Sequence, residues 1–146
     1  MIKKIVFDMD NTLIDEFGST LRPGITGFLE KLRSMNCELY LWTNSSRSRA
    51  KDILSHLKLD HYFSKCIYRE DYDPQNKGVR KDIRKIGGEM LIDDDPAETR
   101  FTEKLGLQAY LVKSYRKNMK TDSNEYDEII KIIKKNKNIL GRLFKK

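Results

Sequence analysis

Acidic and hydroxyl side chains fall in this chain in short clusters, each directly after an apolar run. Asp8-Met9-Asp10-Asn11-Thr12 follows Ile2–Phe7, Thr43-Asn44-Ser45 follows Glu38–Trp42, and Asp93-Asp94-Asp95 follows Met90–Ile92. A fourth cluster, Lys81-Asp82, stands just ahead of the last of these runs. If they converge, Asp8, Asp10, Asp93 and Asp94 put up to four negative charges against one lysine. Two like charges about 4 Å apart repel by about 4 kcal/mol at an effective dielectric near 20. Such a cluster holds together only with protons or a divalent cation, and an all-oxygen set favours Mg2+. With metal and Lys81 offsetting its charge, a phosphate could be attacked in line by Asp8, giving an aspartyl-phosphate. Asp10 is then placed to protonate the leaving oxygen and to activate water, and Thr43 to donate a hydrogen bond to the phosphoryl group. Thr12 and Asn44, in the same clusters, are further phosphate-binding candidates.

The elements that must position these residues alternate between strand and helix patterns, which predicts an α/β fold. Ile2–Phe7, Glu38–Trp42, Cys66–Tyr68, Met90–Ile92 and Leu107–Val112 read as about five buried strands of a parallel sheet. Helical spacing of Ile25, Phe28, Leu29 and Leu32 predicts a helix opening at Pro23. Ser45 or Ser46 caps a second helix through about Leu57, and a third is expected around Val79–Ile86, ending at Gly87-Gly88. Asp95 caps a helix over Pro96–Leu105, and Asp122 with Glu125 predicts a capping box for the last helix. In an open parallel sheet, ligands bind beyond the carboxyl ends of the strands, where the clusters fall. Lys81 must reach in from a loop or helix; Lys77 and Lys85 compete for its place, and the Lys-Asp-Ile context favours Lys81.

The remaining composition bounds the function class. The 146 residues fit one domain, and no apolar run nears the ~20 residues of a spanning helix, so no membrane contact is expected. Cys37 and Cys66 have no CxxC context and only His56 and His61 for company, which excludes a zinc set and suits a reducing, cytoplasmic setting. Residues 1–112 hold 18 basic and 18 acidic side chains; residues 113–146 hold 11 and 4, and so carry the whole net charge of +7. That basic segment is a candidate contact for polyanions, or simply a solvated face. We expect a domain over 1–134 and a basic C-terminal tail over 135–146. Arg47 and Arg49 read as solvated, with Arg47 near enough to the cleft to test.

The clusters, in order, resemble the four signatures of the haloacid dehalogenase (HAD) superfamily. Val6-Phe7-Asp8-Met9-Asp10-Asn11-Thr12-Leu13 is similar to the first, Leu41-Trp42-Thr43-Asn44 to the second, Lys81 to the third and Ile92-Asp93-Asp94 to the fourth. The resemblance implies a three-layer Rossmannoid sheet with helices on both faces. It also implies Asp8 as nucleophile, Asp10 as acid/base, Thr43 and Lys81 on the phosphate, and magnesium on Asp8, Asp93, Asp94 and the Asp10 backbone carbonyl. Arg22-Pro23-Gly24 with Phe28-Leu29, Lys81-Asp82-Ile83 and Ile92-Asp93-Asp94-Asp95-Pro96-Ala97 resemble the FCP/small-CTD-phosphatase (NLI-interacting factor-like) branch. That group commonly has Asn and Ser where this chain has Asp94 and Asp95. Only 32 residues separate Asp10 from Thr43, and 37 separate Thr43 from Lys81, too few for the caps that the superfamily inserts there. A capless, open site implies a phosphorylated protein, favoured by the branch, a nucleic-acid end or a small phosphate ester. The rival expectation is a HAD-like binding module working through residues 113–146.

Overall fold

The computed structural model describes residues 1–121 and 124–136. Five parallel strands, β1 (Lys4–Phe7), β2 (Glu38–Trp42), β3 (Lys65–Ile67), β4 (Met90–Asp93) and β5 (Gln108–Leu111), form one sheet in the order β3-β2-β1-β4-β5. The chain builds outward from β1 in one direction and then, after β3, in the other. That reversal puts a switch point between β1 and β4, at the carboxyl edge where the polar clusters lie.

The strands are apolar on both faces because both are covered. Ile5, Phe7, Leu39, Leu41, Met90 and Ile92 face one way into the larger core. There they meet α1 (Ile25–Ser34), α2 (Arg47–His56) and α5 (Asn124–Lys135) through Leu29, Leu54 and Ile129. Val6, Tyr40, Trp42 and Leu91 face the other way, with Ile83 packed on them. α4 (Pro96–Lys104) packs on β4 and β5; a right-handed crossover puts it on this second face. Each fully buried aliphatic or aromatic side chain contributes about 1.5–3 kcal/mol of hydrophobic stabilisation. No cap domain interrupts the fold, and no helix among the described residues is long and apolar enough to cross a membrane.

Two expectations need correction. The helix around Val79–Ile86 is only a 3₁₀ turn, Ile83–Ile86, closed by Gly87 at φ 75°. Upstream of it, the Asp73 carboxylate accepts the backbone N–H groups of Lys77, Gly78 and Val79 at 2.8, 3.0 and 3.2 Å, and so holds the chain out of a helix. The polar stretch after β3 contains a short helix, α3 (Arg69–Tyr72), whose Asp71 side chain accepts from Tyr68 N. α1 opens at Ile25 rather than Pro23, with Gly24 before it at φ 76°. Glu125, expected in a capping box, accepts Lys113 N at 2.9 Å and faces the buried Arg22 at 3.5 Å. Asp122, its expected partner, and most of the expected tail, residues 137–146, lie outside the described residues; α5 itself runs through Lys135.

Candidate active site

The site begins where β1 stops. Asp8 makes the last ladder bond, its N–H donating to Ile92 O at 3.0 Å, and the chain then turns sharply. Asn11 sits in the left-handed region at φ 64°, conformationally open to Asn, and the amides of Thr12 and Leu13 return to Met9 O. The turn is pinned to the far side of the sheet by Asn11 Nδ2 donating to Tyr115 O at 2.9 Å and Tyr115 N to Asn11 O at 2.8 Å. It swings Thr12 back over Asp8, whose Oδ2 accepts the Thr12 hydroxyl at 2.9 Å; Thr12 Oγ1 lies 3.3 Å from Asp94 Oδ1.

Lys81 enters from the opposite side. Its ammonium donates to Asp8 Oδ1 at 2.9 Å and to Asp93 Oδ2 at 2.8 Å, and its side chain is only 4% exposed. A loop without regular secondary structure delivers it: Asp73 orders the segment before it, and the buried Glu98 of α4 accepts Lys81 N at 3.1 Å. Lys77 and Lys85 are exposed, so Lys81 is the lysine this fold brings in. Asp93, at the end of β4, spends its other oxygen on Asp95 N at 3.0 Å, while Asp95 caps α4 by accepting Ala97 N.

Asp8, Asp93 and Asp94 each offer a carboxylate oxygen within 4.8 Å of the others. Their charges are settled unequally. Burial alone would raise the Asp8 carboxyl, but Lys81, with hydrogen bonds from Asp94, Lys81 and Thr12, holds it below its ordinary value. Burial and the Asp8 charge push Asp93 well up, against the pull of Lys81. The same two causes push Asp94 up to about 6. Burial opposes the charge on Lys81, yet Asp8 and Asp93 raise it above the ordinary lysine value. Three clustered acidic oxygens, two of whose carboxyls are pushed up by burial and the Asp8 charge, match the donor set of a hard divalent cation.

Asp10 stands apart from this trio. Both its oxygens accept from Arg49, Oδ1 from Nη2 at 2.8 Å and Oδ2 from Nη1 at 2.9 Å. Arg49 is therefore not simply solvated; α2 carries it to the strand edge in its first turn, where Ser46 caps by accepting Arg49 N at 3.3 Å. No signal in the sequence separates Arg49 from Arg47, which shares the same first turn. Arg47 does point away, onto Asp71 and over the Tyr68 ring. Thr43, buried at the end of β2, accepts Ser45 N at 3.0 Å, which leaves its hydroxyl proton to be donated elsewhere. Asn44 donates to Asn76 Oδ1 at 3.2 Å. Asp8, Asp10, Thr43, Asn44, Ser45 and Arg49 share the lining of an open cleft of about 440 Å³. His56, His61, Cys37 and Cys66 take no part in it.

A parallel sheet of this order with no cap, and an acidic triad and lysine at its switch point, is a HAD-like α/β fold. Solved structures of the same fold include a HAD-superfamily hydrolase, subfamily IA, variant 1, of Geobacter sulfurreducens. It aligns with a TM-score of 0.62 at 18% identity, covering 90% of this chain and 100% of that one. A haloacid dehalogenase-like hydrolase of Streptococcus pneumoniae aligns with a TM-score of 0.63 at 16% identity, over 87% and 90% of the two chains. The family described as NLI interacting factor-like phosphatase matches residues 3–143, and the chain belongs to it. An uncharacterized 41.0 kDa protein of Cryptophlebia leucotreta granulosis virus is 43% identical over 61 residues, 40% of this chain. The matched segment is 18% of that relative's length.

Proposed function

We propose that this chain is a magnesium-dependent phosphatase that hydrolyses phosphate monoesters through a phosphoryl group carried on Asp8. The observation that carries the reading is the Asp8 carboxylate, fixed between Lys81 at 2.9 Å and Thr12 at 2.9 Å with Asp93 and Asp94 beside it. Asp8, Asp93 and Asp94 would hold the metal, with the Asp10 backbone carbonyl as the further ligand that the family resemblance implies. Bound there, magnesium would offset the charge of the phosphate and of its carboxylates.

The rest falls to the protein's own groups. Thr43, its hydroxyl proton unspent, donates to a phosphoryl oxygen, and Asn44 lines the same wall. Lys81 keeps Asp8 ionised and covers the charge that develops as the phosphoryl group moves. An Asp8 oxygen forms the bond to phosphorus while the ester P–O bond breaks, and Asp10 gives its proton to the leaving oxygen. Water then attacks phosphorus with Asp10 taking its proton, the Asp8–phosphorus bond breaks, and inorganic phosphate leaves. Asp8 is the acceptor because its carboxylate is held ionised by Lys81, oriented by Thr12, and flanked by the acidic oxygens that would hold the metal.

The open cleft supports an exposed phosphate on a macromolecule as substrate, with phosphoprotein ahead of a nucleic-acid end. The test is hydrolysis of p-nitrophenyl phosphate in magnesium. Turnover is expected to vanish with EDTA and in Asp8→Asn; turnover that survives Asp8→Asn removes the covalent route.

A further inference from the structure

Two arginines line the cleft that the phosphate must enter. Arg49 holds Asp10 from α2, and Arg69, from α3, lies on the same wall with its Nε donating to Asn44 O at 2.8 Å. Arg69 forms no ion pair among the described residues. Arg47 is not part of this lining; it pairs with Asp71. Glu16 also borders the cleft, but its carboxylate is tied back by Lys117 N at 2.8 Å and Arg116 at 3.5 Å.

The Arg49–Asp10 pair is half-exposed, with side chains 41% and 31% open. Such a pair is worth about 0–1 kcal/mol, so a better anion exchanges with Asp10 at little cost. Arg49 already shows the geometry it would use, a guanidinium fork on both oxygens of a carboxylate. The exchange also frees both Asp10 oxygens to face the leaving group. Among the described residues, the wall that Arg49 and Arg69 line has no aromatic ring on which a base would stack, which favours a peptide over a nucleic acid.

We propose that Arg49 and Arg69 form a second anion subsite beside Asp8, selecting phosphopeptides that carry a carboxylate or a second phosphate next to the phosphorylated residue. This rests on the reading of Asp8 as the phosphate-accepting centre. The experiment measures binding, so that it decides the matter whether or not turnover occurs. Fluorescent phosphoserine peptides with glycine, aspartate or a second phosphoserine as neighbours are titrated by anisotropy into Asp8→Asn protein with magnesium. The same titrations are run with Arg49→Met/Arg69→Met and with Arg47→Met added.

The acidic and doubly phosphorylated peptides should bind on the order of tenfold more tightly than the glycine peptide. The preference should disappear in Arg49→Met/Arg69→Met and persist in Arg47→Met. Equal binding of all three peptides overturns the subsite, as does a preference that outlasts both arginines or is lost with Arg47. A nucleoside 3′,5′-bisphosphate that outcompetes the acidic peptide overturns the peptide class. Wild-type protein inert toward p-nitrophenyl phosphate would count against the phosphatase reading alone, leaving the binding result to judge the subsite.

Discussion

Lys81→Met replaces the buried ammonium with an apolar chain of similar length and leaves Asp8 and Asp93 facing each other without a cation. In the wild type the two ion pairs, at 2.9 and 2.8 Å, are nearly sealed from water. Breaking a buried pair from one side costs about 3–5 kcal/mol, because the surviving charges stay desolvated. That cost depends on pH. Lys81 is what holds the Asp8 carboxyl below its ordinary value; without it, burial and Asp93 raise it. A carboxyl raised above its unfolded value makes the folded state bind more protons, so stability is retained at low pH and lost as pH rises. The metal-free variant should be destabilised by about 3–5 kcal/mol at pH 8, roughly a 10 °C loss in Tm, and clearly less at pH 5. Urea unfolding followed by the fluorescence of Trp42, the single tryptophan and buried in the core, reads this directly. A penalty equal at both pH values, or larger at pH 5, would refute the charge argument.

Magnesium must compete with protons at Asp94, pushed up to about 6, and at Asp93, pushed well up. Calorimetry should therefore find magnesium affinity rising from pH 5 to 7, by about tenfold or more. Gly88→Ala places a Cβ 2.6 Å from Val6 Cγ2 and 3.0 Å from Ile83 Cβ, against the sheet that carries Asp8. Overpacking of this kind costs about 1–3 kcal/mol, to be read as a lower urea midpoint with an unchanged slope. Asp73→Ala removes the acceptor of three loop amides and should loosen the segment before Lys81. Faster amide exchange at Lys77–Val79 would show it, with a stability loss of about 1–3 kcal/mol.

The sheet was legible because its strands are short, apolar and bounded by polar clusters, and those boundaries are what placed Asp8, Thr43 and Asp93 at one edge. What stayed hidden depended on contacts between distant segments. The Val79–Asp82 stretch has helical residues, but Asp73 and Glu98 claim its amides, a tertiary competition no local pattern reveals. Glu125 fits a capping box by spacing, but that its carboxylate holds the Lys113 amide and faces the buried Arg22 is a tertiary arrangement that spacing does not reveal. Arg49 looked like one of several solvated arginines around a helix start. Its neighbour Arg47 does turn outward, and only the folded position of α2 separates the two. Lys81 could be favoured over Lys77 and Lys85 from its context, but its burial against two aspartates needed three dimensions.

The central claim is that phosphorus becomes bonded to the Asp8 carboxylate during turnover. Quenching the enzyme with borohydride in the steady state, followed by peptide mass spectrometry, reads that bond residue by residue, since an aspartyl-phosphate is reduced to homoserine. Homoserine at position 8, dependent on both substrate and magnesium, is the expected result. Turnover with an unmodified residue 8, or with the label on another side chain, would contradict the account.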